Sequence, residues 1–369
     1  MSIKNKIEDL VKISIKINNN EQGLLIQHNQ LVQQTKDLLD KKYINITKER
    51  KIEIIKENKQ KYGEKDTNYK DSNGIYKGEV QYTGSINTEN DFKTKTTPQI
   101  NNITFMINTA NNAMKHYTSQ GYIVNLLNFA NANFCGGGVE EGASAQEEEL
   151  CRTSPMLYNS LQLFSMNRDL LKSNRYKYHG KLGWGSANWN KRILFTPKVI
   201  FRREDATYNY DELVIPYDAN IITAAAPDFG KPFGPSFDKN DSNLKNNLQR
   251  VIKHIYFAPD NSLYHVKNKT KTIFWKGFDG NSIVEKLPPE SIFPTQKRVL
   301  LLGPWGCGAF VPQNNPSEYR RFMAEQFSIV LKNIENRYDE ICFTFLSDTD
   351  DNYIQFKSVI ENSFTLKYV

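Results

Sequence analysis

Cysteine is scarce in this 369-residue chain. Cys135, Cys151, Cys307 and Cys342 are the four, none stands in a Cys-x-x-Cys pair, and the five histidines do not accompany them in a zinc pattern. That excludes a disulfide scaffold, gives no reason to expect a metal or another cofactor, and fits a reducing compartment. Long apolar runs are missing as well: none approaches the ~20 residues of a membrane span, and the first residues, Met-Ser-Ile-Lys-Asn-Lys, are polar. The expectation is an intracellular protein without membrane association, cytoplasmic or nuclear, or else a secreted effector whose signal is not of the usual kind.

A compact basic tract is also lacking. The net charge of +7 comes from 48 basic against 41 acidic residues, with the lysines spread along the chain, so direct nucleic-acid binding is not indicated. Nor is there a Gly-Lys-Ser/Thr phosphate loop or a Gly-x-Gly-x-x-Gly dinucleotide fingerprint, which disfavours a nucleotide-binding oxidoreductase.

What is present centres on residues 125–152. An apolar run ends in Asn128-Phe129-Ala130-Asn131, three successive glycines follow at Gly136, Gly137 and Gly138, and after seven residues comes Gln146-Glu147-Glu148. Glycines at the end of a strand let backbone approach a ligand closely. Ser144 with Glu147 fits a capping box, so a helix is expected to start here with acids in its first turn. The plain reading makes Glu147 the box partner, pairs Glu148 with Arg152 at i,i+4 and leaves Glu149 solvated. Against it, Glu140, Glu141, Glu147, Glu148 and Glu149 fall within ten residues, and crowded carboxylates raise one another's pKa. A carboxyl that must hold a proton near neutral pH needs such surroundings.

Along the rest of the chain, residues 6–42 show helical apolar spacing broken at Asn18-Asn19-Asn20, and 47–62 reads as a further helix before a turn and a strand at 75–82. Residues 84–98 read as a connecting loop. From 103 onward, strands are expected at 122–129, 192–196, 199–201, 220–225, 272–275, 298–302 and 340–345, with helices near 108–119, 145–168, 242–257, 316–334 and 352–362. This alternation predicts an α/β layered domain whose ligands gather at the carboxyl ends of the strands. A second glycine loop, Gly303-Pro-Trp-Gly-Cys-Gly-Ala-Phe310, lies at one such end, with Asn315 as expected N-cap, Pro316 at the first helical position and Glu318 three residues after the cap. A strand, a glycine loop and a helix can cradle a diphosphate, and equally make an ordinary tight turn.

The triple glycine, the gap and the Gln-Glu-Glu, preceded by Leu127-Asn128-Phe129-Ala130, resemble the signature of microbial-type poly(ADP-ribose) glycohydrolases, which have a macrodomain fold. Gly306-Cys307-Gly308-Ala309-Phe310, Thr223-Ala224-Ala225-Ala226-Pro227 and Ile341-Cys342-Phe343-Thr344-Phe345 are similar to that family's diphosphate loop, central strand and last core strand. The resemblance implies a three-layer α/β/α sandwich around a mixed, largely parallel sheet, with a helical extension at 1–46, an accessory segment at 47–102 and a catalytic domain at 103–369. Asp228 stands where an asparagine is more familiar, and 175–189 and 257–297 look inserted.

It further implies hydrolysis of ribose–ribose O-glycosidic bonds, with ADP-ribose released from chain ends. Glu148 would be the general acid and base and Glu147 would orient the ribose. Asn128 and Asn131 would lie at the distal ribose, with the reading as turn-forming asparagines standing beside that one. Val139 and Gln146 would lie by the substrate, Gly306, Cys307, Gly308 and Ala309 at the diphosphate, and Phe310 against the ribose or nucleoside. Partners would be poly(ADP-ribose) or an ADP-ribosylated protein, with ADP-ribose as product. The alternative is a macrodomain that only binds ADP-ribose, or that removes single ADP-ribosyl groups from a side chain or nucleobase.

Overall fold

The computed structural model describes residues 46–63, 81–82, 100–132, 134–166, 189, 193–231, 236–261 and 296–369. The helices expected within 6–42, the loop at 84–98, the strand at 272–275 and most of 75–82, 175–189 and 257–297 lie outside these residues, as does the 1–46 extension except for its last residue.

Among the described residues, eight strands form one sheet. In chain order they are β1 (Gln81–Tyr82), β2 (Asn102–Ile107), β3 (Ile123–Ala130), β4 (Leu194–Arg203), β5 (Glu212–Ala225), β6 (Arg298–Leu302), β7 (Glu340–Phe345) and β8 (Thr365–Tyr368), and their spatial order is β1-β4-β5-β3-β6-β7-β2-β8. From β5 through β8 all neighbours are parallel, while β4 runs antiparallel to β5 and β1 to β4. The central strands are continuous apolar runs because both their faces are covered, as a parallel sheet requires. In β6, Val299 to Leu302 are all buried.

The helices are α1 (Lys48–Lys61), α2 (Ala110–Ser119), α3 (Gln146–Thr153), α4 (Pro155–Met166), α5 (Ser242–Asn261), α6 (Pro316–Lys332) and α7 (Asp351–Ile360). On one side, α6 and α7 bury an aromatic cluster of Phe327 and Phe356 against Phe343, Phe345 and Phe105 of the sheet. Each such ring, removed from water, contributes roughly 1.5–3 kcal/mol. The result is the α/β architecture with a mixed, mostly parallel sheet that the sequence implied.

Three local expectations differ. The helix expected over 145–168 is two helices, because Pro155 forces Ser154 into an extended conformation (φ −124°, ψ 96°). The two short strands at 192–201 are one strand, β4, interrupted by a bulge between Thr196 and Val199 where Lys198 takes φ 49°. β5 starts eight residues earlier than expected because its first half pairs with β4 alone. Among the described residues no helix is long and apolar enough to cross a membrane.

Candidate active site

Because β3, β5 and β6 are parallel, Ala130, Ala225 and Leu302 end at one edge of the sheet. β3 stays paired with β5 to its last residue, but its pairing with β6 stops at Leu126 opposite Leu301. Where β6 leaves off, the Gln146 carboxamide takes over. Its Nε2 donates to Leu127 O at 3.0 Å, and Phe129 N–H donates to its Oε1 at 2.7 Å. The side chain therefore acts as one more strand residue, and it fixes the start of α3 against the sheet.

No capping box forms. The N-cap is Ala145, without a side-chain bond, and Ser144 Oγ instead accepts from Lys51 Nζ of α1. Glu147 turns back to β3 and the glycine loop: Asn131 N–H donates to Oε2 at 2.7 Å and Gly136 N–H to Oε1 at 3.1 Å. Burial pushes the Glu147 carboxyl up to about 8, with the neighbouring Glu148 adding to the rise and the backbone donors from Asn131 and Gly136 opposing it. The leading cause is thus burial rather than the crowding of acids. Glu149 is not solvated; its carboxylate accepts from Tyr210 Oη and from Arg152 Nη1, so Arg152 pairs with Glu149 rather than Glu148. Glu140 is held below the usual carboxylate range by the Lys59 ammonium and the Tyr158 hydroxyl.

Glu148 is almost fully buried, and its two oxygens differ. Oε1 accepts from Gly138 N–H at 2.8 Å, whereas Oε2, also buried, has no hydrogen-bond partner among the described residues. Glycine is obligatory between the loop and the acids. Gly137 has φ +56°, and a Cβ there would lie 2.2 Å from Glu148 Oε1 and 3.4 Å from Glu147 Oε2. Both carboxyl groups therefore face the same backbone.

Other residues named from the sequence are placed as follows. Asn128 is fully buried, with Nδ2 donating to Thr223 Oγ1 at 3.2 Å and Oδ1 without a partner among the described residues. The Asn131 side chain accepts from Phe134 N–H at 3.2 Å, closing a turn. Val139 is buried in the core, and its carbonyl accepts from Arg152 Nη2 at 3.3 Å.

In the second loop, Trp305 is fully buried and its Nε1 donates to Ala224 O at 3.0 Å, tying the loop to the end of β5. Cys307 is buried, which raises its thiol pKa, while Gly308 and Ala309 are exposed and Phe310 is half-buried. No hydrogen bond among the described residues engages the N–H groups of Gly308, Ala309 or Phe310. The segment after Pro227 lies across the loop: Phe229 N–H donates to Phe310 O at 3.0 Å, and a Cβ on Gly230 would come within 2.2 Å of Ala309 O. Asp228, the departure from the family pattern, pairs with Lys231 at 3.1 Å. Asn315 precedes α6 in the left-handed region without a side-chain cap bond, and Glu318 pairs with Lys239 rather than closing a box. The second loop starts against β3: the Phe129 ring lies 2.8 Å from where a Gly303 Cβ would be.

Sequence reasoning missed Arg152 as anything more than a surface partner. It is fully buried and donates to the carbonyls of Val139 and Ala143, on either side of the turn between the glycines and the acids. An arginine one helical turn beyond the acid pair was the available signal. Among the described residues no group of three or more His, Cys, Asp or Glu is arranged to hold a metal ion.

Residues 32–204 match the family model described as microbial-type PARG, catalytic domain. Among solved structures, the poly(ADP-ribose) glycohydrolase of Thermomonospora curvata is similar at 19% identity and a TM-score of 0.51, covering 85% of this chain and 99% of that one. A mutant of the Deinococcus radiodurans poly(ADP-ribose) glycohydrolase in complex with ADP-ribose is similar at 22% identity and a TM-score of 0.47, covering 72% of this chain and 86% of that one. No curated protein matches. The T. curvata likeness concerns the fold, and it extends past the point where the family model stops. The matched stretch, residues 32–204, contains the glycine loop and the acid pair, and there this chain is similar to the catalytic domain of microbial-type poly(ADP-ribose) glycohydrolases.

Proposed function

We propose that the protein hydrolyses the ribose–ribose O-glycosidic bond of poly(ADP-ribose), releasing ADP-ribose from chain ends, with Glu148 as general acid and then general base. The observation that carries this assignment is the asymmetry of Glu148: one oxygen pinned by Gly138 N–H, the other buried and unpartnered among the described residues. An unpaired buried oxygen is costly unless the site is made for something that will bond to it. Glu147, with both oxygens engaged by main chain, is fixed and unable to swing toward a bond.

In the reaction, the carboxyl of Glu148 protonates the leaving ribose oxygen as the anomeric C–O bond breaks. The Glu148 carboxylate then takes a proton from the water that adds to the oxocarbenium-like carbon, which restores the acid. Neighbouring residues on a helix point ~100° apart, so the two acids serve one face of the bond rather than flanking it. The substrate's own diphosphate positions the water. That diphosphate rests on the N–H groups of Gly308 and Ala309, with Gly306 and Cys307 forming the turn beneath them as Cys307 N–H donates to Pro304 O; Phe310 walls the ribose, and Asn131 and the backbone of Gly136 to Val139 border the scissile side. Asn128 and Gln146 act by holding the acid-bearing segments. Residues 103–369 form one catalytic unit acting inside the cell on the polymer or on ADP-ribosylated proteins.

The test is release of free ADP-ribose from purified polymer, with a mono-ADP-ribosylated protein as second substrate. Polymer loss supports the reading. Cleavage of the mono-modified substrate alone moves the protein to the side-chain hydrolases, and binding of ADP-ribose without cleavage of either makes it a reader.

A further inference from the structure

Helix α1 stands apart in sequence from the glycine loop and the acid pair by about eighty residues, yet it touches the segment between them at every turn. Lys51 Nζ donates to Ser144 Oγ, Lys59 pairs with Glu140, and Asn58 Nδ2 donates to Arg152 O at 2.8 Å. Gly142, at φ +79°, is so close to the helix that a Cβ there would lie 2.6 Å from Lys48 Cγ and 3.0 Å from Lys48 O. Asn58 is itself buried and held from behind, since Arg203 Nε donates to its Oδ1 at 2.6 Å. Arg152 completes the brace by donating to the carbonyls of Val139 and Ala143, its charge answered by Glu149 at 2.9 Å.

We infer that α1, acting through Asn58 and Arg152, is a positioning element for catalysis: it splints residues 138–145 so that Gly138 N–H stays on Glu148 Oε1. The physical case is one of linkage. The loop 138–145 is held internally by single turns, Ala143 N–H and Glu141 N–H both donating to Gly138 O at 3.1 Å. A short loop so held opens locally unless something larger backs it. Its first residue, Gly138, carries the donor that distinguishes one Glu148 oxygen from the other. A displacement of ~1 Å at a reacting group, even from a distant change, costs on the order of 10²-fold in rate. Partial loosening by loss of one link should cost less.

The inference rests on the proposed glycohydrolase reading for its kinetic arm only. Two variants of the full chain test it: Asn58→Ala, which removes the buried link, and Lys51→Ala combined with Lys59→Ala, which removes exposed links without disturbing the core. On polymer, Asn58→Ala is expected to lower kcat ~10-fold with KM for polymer and affinity for ADP-ribose unchanged, and the double variant to lower kcat ~2-fold. Amide hydrogen exchange in 138–145 should quicken in both while exchange in β3 and β6 stays as in the wild type. Folded variants with wild-type kcat and unchanged exchange in 138–145 would overturn the inference, as would equal losses in kcat and in ADP-ribose affinity, which mark general damage. If wild type leaves polymer intact, the function proposed above fails and the exchange measurement decides the splint by itself.

Discussion

The two glycine loops look alike in sequence and differ in what their glycines do. In the 136–138 loop the glycines make room for the protein's own acids: at Gly137 a Cβ would strike Glu148, and at Gly136 it would lie 3.1 Å from the Tyr158 ring. In the 303–310 loop Gly303 and Gly306 make room for the core, facing Phe129 and the Ala226 methyl, while a Cβ on Gly308 would meet nothing within 4 Å among the described residues. The first loop is a holder of Glu147 and Glu148, closed by its own hydrogen bonds. The second is tied down at one end by Trp305 and leaves exposed backbone donors at the other, as a seat for an anion would.

Single substitutions can break this contrast. Gly137→Ala should have the largest effect, since it adds a clash with Glu148 to an unfavourable backbone angle; turnover on polymer is expected to fall more than ~10²-fold, measured beside circular dichroism to confirm folding. Gly306→Ala, at φ +75° with the Ala226 methyl 2.7 Å from the added atom, should act on stability, lowering it by ~1–3 kcal/mol in urea denaturation. Gly308→Ala should leave the melting temperature unchanged and weaken ADP-ribose binding ~10-fold by calorimetry, because its methyl meets nothing among the described residues and would meet a diphosphate seated there. Should Gly308→Ala bind normally, the second loop would be no more than a turn.

The smallest effect concerns pH. Glu147 goes from an ordinary value of 4.5 to about 8 on folding, so the folded chain keeps a proton that the unfolded chain has released. Its contribution to stability is therefore full below about 4.5 and lost as pH rises through about 8. The denaturation midpoint of wild type should fall between pH 5 and pH 8.5, and Glu147→Gln should show a shallower fall over that range.

Much of the fold was legible because its determinants are local. The apolar runs of β3, β6 and β7 and the glycine loops that follow β3 and β6 announce themselves over a few residues. The site's internal wiring was not, because its partners are distant in sequence. Glu147 reads as a capping-box acid from Ser144 to Glu147, yet its donors are Asn131 and Gly136, sixteen and eleven residues away. Gln146 reads as a good helix former, and only the early end of the β3–β6 ladder shows why an amide is needed there. Arg152 and α1 meet across more than ninety residues, a separation at which charge pattern carries no information.

The most direct test of the account is a side-by-side comparison of Glu148→Gln and Glu147→Gln with wild type, reading ADP-ribose release from polymer and ADP-ribose binding on the same preparations. The account predicts that Glu148→Gln loses ~10²–10⁴-fold in turnover while binding ADP-ribose as wild type does. A folded Glu148→Gln variant that turns over polymer at near the wild-type rate would contradict it.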